Sequence, residues 1–334
     1  MNKSNILKLI YRHPKDGISI QKVFDILYPI LEKNYNLSKV VIPQKGVSLK
    51  AILHNLLYIA YIRNKEGIYH ITGAIHYLAY VLPKKSLLTT VHDLNRFSDR
   101  KVKGLKGKIL SFLFLNSLKR NKYLVCISDK TKQEVLSLIN YPKENIFVIP
   151  DPISSHYKYV AKTLKIKCPV ILHIGTKPNK NLIRTAYALK GISCKLRIIG
   201  ELSKKDENIL KDNNIQFVKL GMISEEDLIS EYINCDIVNF PSTYEGFGMP
   251  IIEAQAIGRI CLTSDIEPMK SIAGKDGAIF VDPFNIDSIR EGYKKIINNP
   301  SLIEQTIKNG LRNAEKYSAD SVAKQYIELY RKMI

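Results

Sequence analysis

Strand-like and helix-like segments alternate along this chain, and that alternation leaves few folds open. The apolar, β-branched runs ILKLIYR (6–12), KVVIP (39–43), GIYHIT (67–72), LLTTVHD (87–93), KYLVCIS (122–128) and NIFVIP (145–150) mark strands in the first half. PVILHIG (169–175), KLRIIG (195–200), IQFVKLG (215–221), DIVNFPS (236–242), RICLTS (259–264) and AIFVDP (278–283) mark them in the second. Helical patterns fill the gaps, among them 20–33, 129–139, 286–297 and 301–316. Strands spaced by helices pair in parallel, as βαβ units. The polar stretch 151–167 separates two such series, so the chain reads as two doubly wound α/β domains, 1–153 and 154–317. A last segment carries Val322, Tyr326, Leu329 and Tyr330 at helical spacing, and a helix over 318–334 is expected to pack back on the first domain. Ligands of such sheets bind outside the strands' C-terminal ends, which places the expected site in a cleft between the two domains.

Composition narrows the class. A chain of 334 residues, 45% hydrophobic and 25% charged, has the make-up of a globular protein with room for two cores. No apolar run reaches the roughly 18–20 residues of a membrane-spanning helix; the longest, 51–62, is interrupted by His54 and Asn55. The N-terminus reads as a first strand rather than a signal peptide. Cys126, Cys168, Cys194, Cys235 and Cys261 are scattered without zinc spacing, as expected of reduced, buried thiols in a cytoplasmic protein. Charge is uneven: residues 1–150 hold 25 Lys and Arg against 9 Asp and Glu, the remainder 26 against 22, within a net +20. The basic first half points to an anionic partner. No nucleic-acid reading motif accompanies it, so a membrane surface or a diphosphate-bearing acceptor is expected rather than nucleic acid.

The chemistry concentrates in PSTYEGFGMPIIE (241–253). A buried-strand pattern feeds a turn with Gly246 and Gly248, then a helix, and Glu245 and Glu253 stand eight residues apart. Glycines allow close backbone approach, and the helix's free N–H groups point into the same space. Carboxylates accept paired hydrogen bonds from vicinal hydroxyls, so the segment suits a hydroxyl-rich ligand. Earlier, HIGTKPNKNLIRTAYAL (173–189) is a strand, a glycine loop and a helix, with Lys177 and Lys180 at the helix entrance. A lysine added to a helix N-terminus makes a diphosphate site that needs no metal.

With Glu245 and Glu253 as an E-x7-E pair, the chain resembles the retaining glycosyltransferases of family 4, which have the GT-B fold of two Rossmann-like domains. The resemblance implies that Lys180 contacts the donor phosphates, with Gly175, Thr176 and Lys177 in the same loop. It further implies that the loop Gly221, Met222, Ile223 lies against the nucleotide base, and that Glu253 accepts the ribose hydroxyls. Glu245, Gly246 and the amides of Phe247 and Gly248 would hold the transferred sugar. His92, ending TTVHDL (89–94), matches the family's histidine facing the acceptor side, where it orients the sugar or assists the acceptor hydroxyl's deprotonation. Gly17, in the loop after the first strand, would lie near the donor phosphates. Lys180, Glu245 and His92 are the expected catalytic residues. The chain departs from the family at Thr176, where an arginine is common, and at Ser271, where a glutamate is common.

The implied activity moves a sugar from a nucleotide-sugar to a hydroxyl of a glycan or polyprenyl-diphosphate-linked acceptor, in surface polysaccharide synthesis. No cofactor and no metal are implied, and no Asp-x-Asp triplet is present. A sugar-nucleotide epimerase of the same fold and a non-catalytic sugar-nucleotide-binding protein are the alternatives. The run RKVKGLKGKILSFLFLNSLKRNK (100–122) has two readings: a core helix with solvated ends, or a helix at an anionic membrane surface, which would make the protein peripheral to the membrane's inner face.

Overall fold

The computed structural model describes residues 6–16, 19–64, 66–94, 104–165 and 167–334. The chain divides into two compact units, one of residues 1–152 with 319–334, the other of 153–318. Gly17 and residues 100–103 lie outside the described residues.

The first unit runs β1 (Ile6–Tyr11), α1 (Ser19–Leu31), β2 (Asn36–Val41), α2 (Leu49–Ile62), β3 (Ile68–Ile71), β4 (Leu87–Val91), α3 (Gly104–Leu118), β5 (Tyr123–Cys126), α4 (Asp129–Leu138) and β6 (Ile146–Val148). Its sheet is parallel throughout, in the order β2-β1-β3-β4-β5-β6. β3 and β4 are buried at every position, which is why they read as unbroken apolar runs. β2 is the exception. It begins three residues before the 39–43 run, because it is an edge strand whose exposed face tolerates Asn36 and Lys39. Ser128 caps α4 by accepting from Thr131 N.

The second unit continues β7 (Val170–Ile174), α5 (Leu182–Leu189), β8 (Lys195–Ile199), α6 (Lys204–Asp212), β9 (Phe217–Gly221), α7 (Glu225–Asn234), β10 (Ile237–Phe240), α8 (Met249–Ile257), β11 (Ile260–Ser264), α9 (Met269–Ala273), β12 (Ile279–Val281), α10 (Ile286–Asn298) and α11 (Pro300–Ala314). Its six strands are parallel in the order β12-β11-β10-β7-β8-β9. Strand order therefore reverses between β7 and β10, and loops leaving those two strands diverge to opposite sides. A crevice at such a switch point is the usual ligand position of doubly wound sheets.

The last helix, α12 (Ala319–Arg331), belongs to the first unit. Val322, Tyr326, Leu329 and Tyr330 are buried there with Phe24, Leu27 and Leu31 of α1 and with Leu7 and Leu9 of β1. His70 locks the contact: its Nδ1 meets Tyr330 Oη at 2.7 Å and its Nε2 meets Thr90 Oγ1 at 2.8 Å. Burial pushes His70 down to about 3, so it stays neutral and serves the core. Among the described residues no helix is long and apolar enough to cross a membrane.

Candidate active site in the second unit

The two loops at the switch point carry Gly175, Thr176, Lys177 and Lys180 on one side and Glu245, Gly246, Phe247 and Gly248 on the other. β7 ends at Gly175, whose φ of 88° suits glycine, and whose N–H donates to Ile199 O at 2.8 Å. A Cβ on Gly175 would lie 3.1 Å from Lys180 Cγ, so the missing side chain is what lets Lys180 fold back over the turn. Thr176 tucks against Gly200, whose own φ is 118°, and Lys177 stays exposed at the start of a 3₁₀ turn, Pro178–Lys180.

Lys180 Nζ donates to Glu245 Oε1 at 2.6 Å, and Asn179 Nδ2 donates to the same oxygen at 3.2 Å. Lys180 Nζ also lies 4.8 Å from the centre of the Phe240 ring. The pair is one-fifth exposed or less on both sides, so solvent screens it weakly. Thr243 N donates to Asn179 O at 2.8 Å and Asn179 Nδ2 to Tyr244 O at 2.9 Å, joining the β7 loop to the β10 loop. Asn181 completes the joint from the left-handed region, at φ 66°: its buried Nδ2 donates to Pro241 O at 2.9 Å and Pro283 O at 2.6 Å.

Asn181 Oδ1 accepts from Arg184 at 3.0 Å instead of from a first-turn N–H, which leaves α5 without a side-chain cap among the described residues. α8 is likewise uncapped: Gly248, at φ 135°, precedes it, and a proline follows in its first turn. By contrast Ser203, Ser224 and Asn285 cap α6, α7 and α10. The two helices that start beside the switch point thus present first-turn N–H groups and the positive ends of their dipoles to whatever binds there. Phe247 is buried edge-on against Tyr317, at 5.8 Å between ring centres, which anchors the Gly246–Gly248 turn.

Glu253 is half-buried on α8. Tyr232 donates its phenol hydrogen to Glu253 Oε2, and Tyr157, whose ring sits edge-on to that of Tyr232 at 5.7 Å, reaches the same carboxylate. Burial first, and then the Glu253 charge, raise both phenols, so both remain donors. At the far edge of the sheet Gly200 N donates to Gly221 O at 2.9 Å; beyond it Met222 is 83% exposed and Ile223 half-buried.

His92 lies in the first unit, just past β4. Its Nε2 donates to Thr72 O at 3.0 Å, and its Nδ1 stands 3.6 Å from Asp151 Oδ1. Burial pulls its pKa down, but the charge and hydrogen bond of Asp151, the Thr72 carbonyl and Asp93 outweigh burial, and the net direction is up. Cys126 and Cys235 are pushed up to about 12 and Cys194 to about 11 by burial, so these thiols are inert core residues.

Residues 164–313 match the family model described as glycosyl transferases group 1. That stretch of the chain has the sequence pattern of the family. This glycosyltransferase is 26% identical over 293 residues to an O-antigen chain mannosyltransferase B of Escherichia coli, covering 80% of this chain and 74% of the relative. A Campylobacter jejuni N,N'-diacetylbacillosaminyl-diphospho-undecaprenol α-1,3-N-acetylgalactosaminyltransferase is 26% identical over 176 residues, 49% of this chain and 47% of that one. In fold it is similar to Anabaena HepE solved with UDP and glucose, at a TM-score of 0.73 and 14% identity, covering 98% of this chain and 99% of that one. The fold of the transferase is thus GT-B.

Sequence reasoning missed Asn179, Asn181, Tyr157, Tyr232 and Asp151. Asn179 and Asn181 flank Lys180 in PNKNL, so their place was visible and their partners were not. The tyrosines and Asp151 act across long stretches of chain and leave no local pattern.

Proposed function

We propose that this enzyme is a retaining, metal-independent transferase that takes a sugar from a nucleotide diphosphate donor to a hydroxyl of a glycan or polyprenyl-diphosphate-linked acceptor. The observation that carries the reading is the Lys180–Glu245 pair, one cation and one carboxylate spanning the two switch-point loops between uncapped helices. A sugar diphosphate has the complementary halves. Its phosphates replace Glu245 as partner of Lys180, and its sugar hydroxyls replace Lys180 as partner of Glu245. As the anomeric bond breaks, the leaving diphosphate gains charge, and Lys180 with the two helix N-termini stabilises that charge without reorganising. Glu245 positions the sugar, and the leaving phosphate takes the acceptor proton on the same face, which retains configuration.

Glu253, held by Tyr157 and Tyr232, receives the ribose. β9 lies two strands from β7, about 10 Å at ~4.8 Å per strand, a span that suits a nucleoside lying toward Met222 and Ile223. Gly175, Thr176 and Lys177 line the phosphate end. His92, with both nitrogens turned to Thr72 and Asp151 and its charged form favoured, acts on the ligand through its charge rather than by accepting the hydroxyl proton. The lipid-linked character of the C. jejuni relative's substrate and the basic residues of 100–122 support work at the cytoplasmic membrane face.

A thermal-shift screen against UDP-, GDP-, ADP-, CMP- and dTDP-sugars, with and without EDTA, tests the reading: one donor raises the melting temperature, and EDTA leaves the shift intact. With that donor, Glu253→Ala weakens binding, whereas Lys180→Ala lowers turnover about 10²-fold, as removal of one transition-state donor does. Full activity in both variants sinks the assignment. Release of free sugar and nucleotide without any acceptor would move the enzyme to the epimerase class.

A further inference from the structure

Helix α2 turns Asn55 inward and three of its four leucines outward. Asn55 is fully buried; its Nδ2 donates to Gln44 O at 3.0 Å and to Tyr77 Oη at 2.9 Å, and Gln44 N donates to its Oδ1 at 3.0 Å. With Ala51, Ile52 and Ile59 also buried, these bonds fix the rotation of the helix. Leu49, Leu53, Leu57 and Tyr61, four residues apart, therefore form an outer ridge that is 64%, 59%, 63% and 88% exposed. A helix that only covered a sheet would bury its leucines and leave an asparagine in water.

The ridge is not isolated. The 3₁₀ turn His76–Tyr80 packs against both α2 and α3. Arg63 of the α2 end donates to Val81 O, Arg120 Nε to Ala79 O at 2.9 Å, and Tyr80 Oη to Leu113 O at 3.0 Å. Phe114 and Leu118 of α3 enter the same core cluster as Ile52 and Ile59, while Ile109 and Phe112 stay 50% and 65% exposed. Two helices on one side of the first sheet thus expose apolar side chains, a larger group than isolated surface hydrophobics explain.

Charge says what covers them. From Lys33 to His92 the sole acidic residue is Glu66, and from Gly104 to Lys122 there is none. Lys45, Lys50, Lys84, Lys85 and Lys108 are exposed, and none is paired with a carboxylate among the described residues. Two copies meeting through this face would bring lysines together with almost no acid to offset them.

We propose that α2, continued by α3, docks on the surface of an anionic lipid bilayer, leucines at the acyl boundary and lysines among the headgroups. α3 is then the minor part of the surface and α2 the major one. Docking rests on the reading that the enzyme works at a membrane face, but not on the donor chemistry, and it is read without donor or acceptor.

The full chain is co-sedimented with phosphatidylglycerol-containing vesicles and with phosphatidylcholine vesicles, at low and high salt. The wild type pellets with the anionic vesicles and is released as salt screens the charge. Leu53→Ser/Leu57→Ser changes exposed positions, keeps the melting temperature, and lowers vesicle affinity about tenfold or more. Lys45→Gln/Lys50→Gln binds more weakly and with a shallower salt dependence. Should the double serine variant fail to fold, Tyr61→Ser, at the most exposed position, carries the same expectation. Wild-type binding to neither vesicle, or undiminished binding by the leucine variant, overturns the proposal. So does a concentration-dependent dimer that the leucine variant abolishes, because the face would then be an interface between copies.

Discussion

Lys180 is held by three groups of different kind: the Glu245 carboxylate, the Phe240 ring and the space left by Gly175. A side chain so placed has its rotamer fixed before a ligand arrives, which lowers the entropy cost of using it. His92 is fixed in the same manner by Thr72 and Asp151, and it yields a prediction with a definite sign. Its folded pKa lies above the ordinary value near ~6.5, so its contribution to stability is fully present below that value. The contribution is lost as pH rises through the raised folded pKa. Unfolding free energy measured by urea between mild acid and mild alkali falls with pH in the wild type by this contribution. Asp151→Asn, which removes the largest favourable partner, flattens that fall; an unchanged profile would show that Asp151 does not govern the titration.

At the scale of elements, the strand–turn–helix units place these side chains, and their glycines are where the geometry is least forgiving. Gly175→Ala puts a Cβ at φ 88° and 3.1 Å from Lys180 Cγ. The left-handed backbone alone costs about 1–2 kcal/mol, so the melting temperature falls by a few degrees. Lys180 must also shift, so turnover drops further than donor binding does; parallel losses in the two would mean that the turn, not the lysine, is what was damaged. Much of this level was legible in the sequence. Buried parallel strands are continuous apolar runs, and eleven of them lie where such runs do; β2 is offset because an edge strand need not be apolar. Glu245, Glu253 and Lys180 stand out in the sequence because glycines and a helix start surround them, and the structure brings Lys180 and Glu245 together. Asn181 was not, since Pro241 and Pro283 lie 60 and 102 residues away. The outward leucines of α2 were hidden for another reason: an apolar run shows no side until Asn55 finds Tyr77.

For the whole molecule, the chain path decides which parts stand or fall together. Each unit has its own core, and the core of the first unit is completed by a helix that arrives after the entire second unit. Val322, Tyr326, Leu329 and Tyr330 are each at most 2% exposed, and Tyr326 and Tyr330 close the hydrogen-bond chain through His70 and Thr90. Removing a single large buried side chain costs about 2–5 kcal/mol, while a domain's whole stability is about 5–15 kcal/mol. A chain ending at Ser318 therefore loses the fold of 6–152 and keeps that of 153–318, whose buried Arg259 still clasps Ile233 O and Val160 O. Amide hydrogen exchange followed by proteolysis distinguishes the halves: protection vanishes in β1, β3 and β4 and persists in β7, β8 and β10. A donor that shifts the melting of the full chain still shifts the remaining transition, because the proposed donor residues other than Gly17 and His92 belong to the second unit. Protection lost from both sheets together would show instead that the two units fold as one, and α12 would then be a fastener for the whole enzyme.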